Sequence, residues 1–153
     1  MKRIQVSMSI LIATAAISLA APSVQVTANI PFEFVVGTQT MPAGEYTVSS
    51  GNVPGSQGND VLLIESTGGG ARYFALALRV QTEDGSYPQT TKLMFRRYGS
   101  QYFLSQVWTS DSPVGREFPE SRTERELNKS AAAKPQTVIV LAQGPSARKT
   151  VDR

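Results

Sequence analysis

The sequence predicts an all-β fold: a single antiparallel β-sandwich or small barrel of about seven or eight strands, with one late surface helix. Three observations carry this. From Val24 to Val36 every even position is apolar (Val24, Val26, Ala28, Ile30, Phe32, Phe34, Val36) while the odd positions are mostly polar, the period-two pattern of a strand with one buried face. Gly99-Ser100 joins TTKLMFRRY to QYFLSQVWT, a glycine-first pair suited to a two-residue hairpin turn. Only after Trp108 does the chain become polar and charge-dense, in SDSPVGREFPESRTERELNKSAAAK.

Taken in order, residues 1–20 read as a secretory signal peptide. Lys2 and Arg3 open it, Met8 to Ala20 is an uncharged apolar run, and small residues follow. The run is too short for a bilayer, which takes roughly 20 apolar residues. Ser18 and Ala20 favour a cut after Ala20, because a cut after Ala21 would place Pro22 beside the scissile bond. The expected organisation is therefore a signal at 1–20, a β-rich domain over 21–143, and a disordered tail over 144–153. Losing Lys2 and Arg3 from 15 basic residues leaves 13 against 12 acidic ones, so the net charge falls from +3 to near +1. That balance gives no electrostatic case for nucleic acid.

Thirteen residues from Val24 at roughly 3.3 Å each would reach about 43 Å, wider than one small domain, so this strand must bend. Pro31 has outward parity and cannot donate to a ladder, which marks it as the bend, and a bent strand of this kind passes from one sheet to another. Met41-Pro42-Ala43-Gly44 has the proline-second, glycine-fourth form of a type I turn, and Tyr46 and Val48 then resume the alternation. Residues 30–48 thus read as scaffold, with a recognition loop at Gly37 to Met41 as the competing reading.

Val61 to Ile64 is apolar throughout, as in a strand covered on both faces. Gly68-Gly69-Gly70 lacks the Gly-Lys-Ser/Thr and the helix start of a phosphate cradle and reads as a hairpin turn. Arg72 to Val80 alternates, with Phe74, Leu76, Leu78 and Val80 on one face and mostly small or polar residues on the other. Glu83-Asp84-Gly85 reads as another hairpin turn. Its carboxylates, solvated, have nothing to separate their pKa values for acid–base work.

A two-residue turn at Gly99-Ser100 sets Phe95 against Leu104, Arg97 against Tyr102 and Arg96 against Phe103. Arg96, Arg97, Tyr98 and Tyr102 are therefore the candidate contact face, a stacking or cation–π surface for sugars. The preferred reading makes them the rim of an ordinary core, with Trp108 on the same side as Tyr102 and Leu104. Ser121 and Glu124 form a capping-box pattern, and with an Arg122–Glu126 pair they predict a polar surface helix over about 121–133. Thr137 to Ala142 hardly alternates and reads as a closing strand buried between neighbours.

PFEFVVG followed by MPAGEYTV, and later RRYGSQYFLSQVW with GREFPESRTEREL, resembles a family of uncharacterised exported bacterial β-domain proteins over most of the mature chain. The resemblance implies a signal peptide, an all-β core and a late charged helix, and it brings no activity or site residues. PAGEYTV by itself is similar to the PAG-x-Tyr hairpins of transthyretin-like sandwich modules.

Chemistry is bounded by absences. Without histidine or cysteine there is no Ser-His-Asp or Cys-His pair and no imidazole or thiolate metal site. Ser146-x-x-Lys149 matches a serine–lysine pattern only in the tail and without companion motifs. Carboxylates converging from separate strands leave glycoside chemistry open. We expect no cofactor and no metal. The leading expectation is a non-enzymatic exported module that contacts envelope protein or polysaccharide, with no nucleic acid partner and no transmembrane span once the signal is removed. The alternatives are a β-barrel holding a small apolar ligand and a histidine-free carboxylate-based hydrolase.

Overall fold

The computed structural model describes residues 24–51, 61–130 and 134–144. The expected signal peptide, most of the loop after Gly51, the end of the expected helix and the tail beyond Gly144 lie outside the described residues. In chain order the elements are β1 (Gln25–Ile30), β2 (Phe34–Val36), β3 (Gln39–Met41), β4 (Gly44–Ser50), β5 (Val61–Ser66), β6 (Arg72–Leu76), β7 (Leu78–Gln81), β8 (Lys92–Tyr98), β9 (Gln101–Trp108), β10 (Val114–Glu117), α1 (Arg122–Ser130) and β11 (Gln136–Leu141). They form two sheets. One has the order β1-β4-β5-β6; the other has the order β11-β8-β9-β10-β7, with β2 beside β9 and β3 on β2. The arrangement is an all-β sandwich rather than a closed barrel.

Among the described residues eleven strands stand where seven or eight were expected, because two long alternating runs are each cut by a corner. The first run crosses at Pro31: β1 belongs to the four-stranded sheet and β2 to the seven-stranded one. The alternation survives the crossing, since Val26, Ala28, Ile30, Phe34 and Val36 are all buried and Glu33 is exposed. The second run crosses at buried Ala77, where β6 passes into β7. β3 and β10, three and four residues long, are too short to show a period. Met41 to Gly44 is also a crossing between sheets and not a hairpin, because β3 pairs only with β2 while β4 pairs with β1 and β5. The Tyr46 hydroxyl donates to the Pro42 carbonyl at 2.8 Å and braces that crossing.

The space between the sheets is filled from both sides. Cross-strand neighbours Val26, Val48 and Ile64 line the four-stranded sheet, and Leu93, Phe95, Leu104 and Val107 line the other. Phe34 stands edge-on to both Tyr46 and Phe95, with centroids at 5.1 and 5.6 Å. Each such side chain contributes on the order of 1.5–3 kcal/mol by leaving water, and without disulfides this burial supplies most of the stability.

The Gly99-Ser100 hairpin forms as expected, with Tyr98 opposite Gln101, Arg97 opposite Tyr102, Arg96 opposite Phe103 and Phe95 opposite Leu104. Beyond that point a β-bulge intervenes: Met94 faces Gln106, leaving Ser105 as the extra residue. The Ser105 hydroxyl donates to the Met94 carbonyl at 2.8 Å, and its own carbonyl accepts from Phe118 N–H at 2.8 Å. One inserted residue reverses the facing of everything after it. Trp108 is buried as expected, but on the face opposite Leu104. It lies close beneath Gly115, where a Cβ would come within 2.7 Å of the indole.

Three further expectations are corrected. The large residues of β6 and β7 point outward: Phe74, Leu76 and Leu78 are 48, 61 and 55% exposed while Ala75 and Ala77 are buried. The closing strand β11 is an edge of its sheet, pairing only with β8, and its Ile139 and Leu141 face solvent while Val138 and Val140 pack inward. Glu83-Asp84-Gly85 is a turn, closed by Gly85 N–H donating to Thr82 at 3.1 Å, but it joins no hairpin, because β7 pairs with β10 and β8 with β9 and β11.

Candidate functional site

Arg96, Arg97, Tyr98 and Tyr102 do not share a face. Neighbouring residues of a strand point to opposite sides, so Arg97 and Tyr102 lie on one face of the β8–β9 hairpin and Arg96 and Tyr98 on the other.

The Arg96 side is a covered polar cluster. Helix α1 begins where Ser121 caps it, its hydroxyl accepting from Glu124 N–H at 3.1 Å, and this much the capping-box pattern anticipated. The Glu124 carboxylate does not complete the box. It turns inward, 2% exposed, and accepts from Arg96 Nε at 2.5 Å and Nη2 at 3.4 Å. Arg96 also donates to the Phe118 carbonyl at 3.4 Å and lies 3.9 Å from Glu117. Burial by itself would lower the Arg96 pKa, but the hydrogen bond and charge of Glu124, with Glu120 behind it, outweigh burial and raise it. The guanidinium is thus fixed in its charged form. Beneath the same helix Tyr98 packs edge-on to Phe103 at 5.7 Å. Its hydroxyl is buried without a hydrogen-bond partner, and burial, aided by Glu124 and Glu120, pushes its pKa up. These residues are consumed in holding α1 to the sheet.

The Arg97 side is open. The Phe32 ring stacks on Tyr102 at 3.9 Å and 14° and meets Phe95 edge-on at 5.2 Å. The Arg97 guanidinium lies 5.4 Å from the Tyr102 centroid, and its Nε donates to the Gly99 carbonyl at 2.7 Å. This stack forms one wall of a surface cleft of about 460 Å³. The lining is completed by the β2–β3 hairpin with Gly37, Thr38 and Thr40, by Ser100 and Gln101, and by the first turn of α1 at Thr123. Gly37 permits the tight β2–β3 connection: its φ is +59°, and a Cβ there would lie 2.6 Å from the Tyr73 hydroxyl. Of the residues in the sequence's two minor readings, Gly37, Thr38 and Thr40 of the loop and Tyr102 of the hairpin line this cleft, whereas Arg96, Arg97 and Tyr98 do not.

Phe32 was legible only as one more core residue of an alternating strand. The Pro31 crossing leaves it half-buried at the cleft instead. Glu33 carries the one carboxylate among the lining residues. In the Glu83–Asp84 turn, hydrogen bonding with the Ser86 side chain and then with Ser86 N–H, which donates at 3.0 Å, holds the Asp84 carboxyl below its ordinary pKa. Among the described residues no group of three or more Asp or Glu side chains could hold a metal ion, and no helix is long and apolar enough to cross a membrane. No protein-family model, curated protein or solved structure matches the chain.

Proposed function

We propose that this protein is an exported, non-enzymatic binding module whose cleft takes a polysaccharide segment. The carrying observation is the make-up of the cleft: an aromatic wall at Phe32 and Tyr102 facing hydroxyls and an amide from Thr38, Thr40, Ser100, Gln101 and Thr123. Sugars present exactly this pairing of apolar C–H faces and hydroxyl edges, and about 460 Å³ falls within the range of small-molecule sites. A lone Glu33 carboxylate lacks the second carboxyl group that glycoside hydrolysis commonly requires, which favours binding over cleavage. A small apolar ligand fits less well, since the space between the sheets is filled by Ile30, Phe34, Tyr46, Leu62 and Phe95.

The test is a titration of the folded protein with soluble N-acetylglucosamine and glucose oligomers, followed by amide shifts in NMR. Shifts confined to Thr38, Thr40, Ser100, Gln101 and Tyr102, abolished in Gln101→Ala with Tyr102→Ala, support the reading. An absence of shifts at millimolar oligomer, or shifts centred elsewhere, overturns it.

A further inference from the structure

The four-stranded sheet ends on a strand edge that no described residue covers. Ser66 N–H donates to the Ala71 carbonyl at 2.9 Å, which sets the phase of the β5–β6 ladder. Tyr73 and Ala75 therefore bond inward to β5, and Arg72, Phe74 and Leu76 turn their N–H and C=O groups to the free side. The outward side chains of Phe74 and Leu76 continue an apolar row, with Phe74 beside Leu63 and Leu76 beside Val61, while Arg72 lies beside Glu65. Exposed edges of natural sheets are usually blunted by charged side chains, proline, a bulge or a covering segment; β6 has no proline, bulge or described covering segment, and its one charge, Arg72, stands at its first position. The β1 edge differs. Thr27 and Gln143 exchange backbone hydrogen bonds of 2.9 and 2.8 Å, clipping β1 to the residues that follow β11.

We propose that β6 is a self-association edge at which a second copy of this chain adds antiparallel, about a two-fold axis through Phe74. The choice of occupant follows from parity and charge. Centred on Phe74, the pairing sets Phe74 against Phe74, Arg72 against Leu76 and Leu76 against Arg72, so every residue with free backbone groups faces another and about six hydrogen bonds form. The strand's one charged residue, Arg72, then lies opposite an apolar side chain, with its two copies at opposite ends. Each keeps Glu65 of its own chain at 3.8 Å, and no like charges are opposed. A net charge of +3 over the whole chain adds little long-range repulsion. The isologous contact closes on itself and yields a dimer, not a fibre. An edge strand of 5 residues falls well short of the roughly 20–30 residues a side of a standard interface, so the dimer is weak and concentration-dependent.

Sedimentation velocity from low-micromolar to near-millimolar protein should show the mass rising from one chain to two, with Leu76→Lys and Phe74→Ser holding it at one while their circular dichroism stays unchanged. Because the native chain has no cysteine, Phe74→Cys supplies a second readout. Hydrogen-bonded antiparallel pairs place Cα atoms about 5.5 Å apart, within disulfide reach, so mild oxidation should link two Phe74→Cys chains far faster than two Gln25→Cys chains. A constant single-chain mass, growth beyond two chains, or equal linking at both positions overturns the proposal.

Discussion

In β1 and β2 the large side chains point into the space between the sheets; in β6 and β7 they point out of it. Both runs cross from one sheet to the other at a corner, Pro31 in the first and Ala77 in the second, and both alternate without interruption. What differs is the room on the inner side. Opposite β1 and β2 stand Val48, Tyr46 and Phe95, among which Ile30 and Phe34 fit. Inside β6, Ala75 and Tyr73 lie beside the fully buried Leu62 and Ile64, and the inward positions 75 and 77 carry alanine, both buried. Alternation defines two faces; the volume left by neighbours decides which one is buried.

The largest effect expected of a single change is at the inward strand. Phe34→Asp places a carboxylate between Tyr46 and Phe95 and should unfold the protein, since burying an unpaired charge costs several kcal/mol of a total of roughly 5–15. Glu33→Lys, one residue away on the exposed face, should leave the melting temperature nearly unchanged. Comparable melting temperatures for the two variants would mean the parity of β2 is wrong. Next is the buried pair under α1. Glu124→Ala strands Arg96 and should cost about 3–5 kcal/mol in chemical denaturation, whereas joint replacement by Arg96→Met and Glu124→Leu should recover most of it.

A smaller pair of effects tests the outward strand directly. Ala75→Leu overfills the inner layer and should cost about 1–3 kcal/mol, while Leu76→Ala, next to it, should stay within about 0.5 kcal/mol. The reverse ranking would put the large residues of β6 back inside. The smallest effect is alkaline. Burial raises the pKa of Tyr46 and Tyr98 above 10.0, so each favours the folded state fully below pH 10. That contribution is lost as the pH climbs from 10 through the folded-state values. Absorbance at 295 nm of the folded protein should show these two tyrosines ionising above pH 10, and Tyr98→Phe should remove one of those steps.

Much of the fold was legible because local chemistry set it. Gly99-Ser100 fixed the register of β8 and β9, Pro31 fixed a corner, and Ser121 fixed the start of α1. The rest depended on long-range packing. Nothing around Ser105 announces a bulge, yet that one residue moved Trp108 to the other face. Glu124 looked like the second half of a capping box because its partner Arg96 lies 28 residues earlier in the chain. TVIVLA looked buried because a run of apolar residues does not reveal that half of them will face outward on an edge. The cleft was visible only as two unconnected hints, since its walls come from residues some sixty positions apart that meet through the parallel contact of Val35 with Phe103.

Hydroxyl-radical footprinting with residue-level mass spectrometry, at dilution where chains are monomeric, measures the difference between the two strands without altering either. Phe74 and Leu76 should oxidise readily and Phe34 and Ile30 hardly at all. Equal protection of Phe74 and Phe34 in the monomer would contradict the outward setting of β6, and with it the free apolar edge on which the dimer depends.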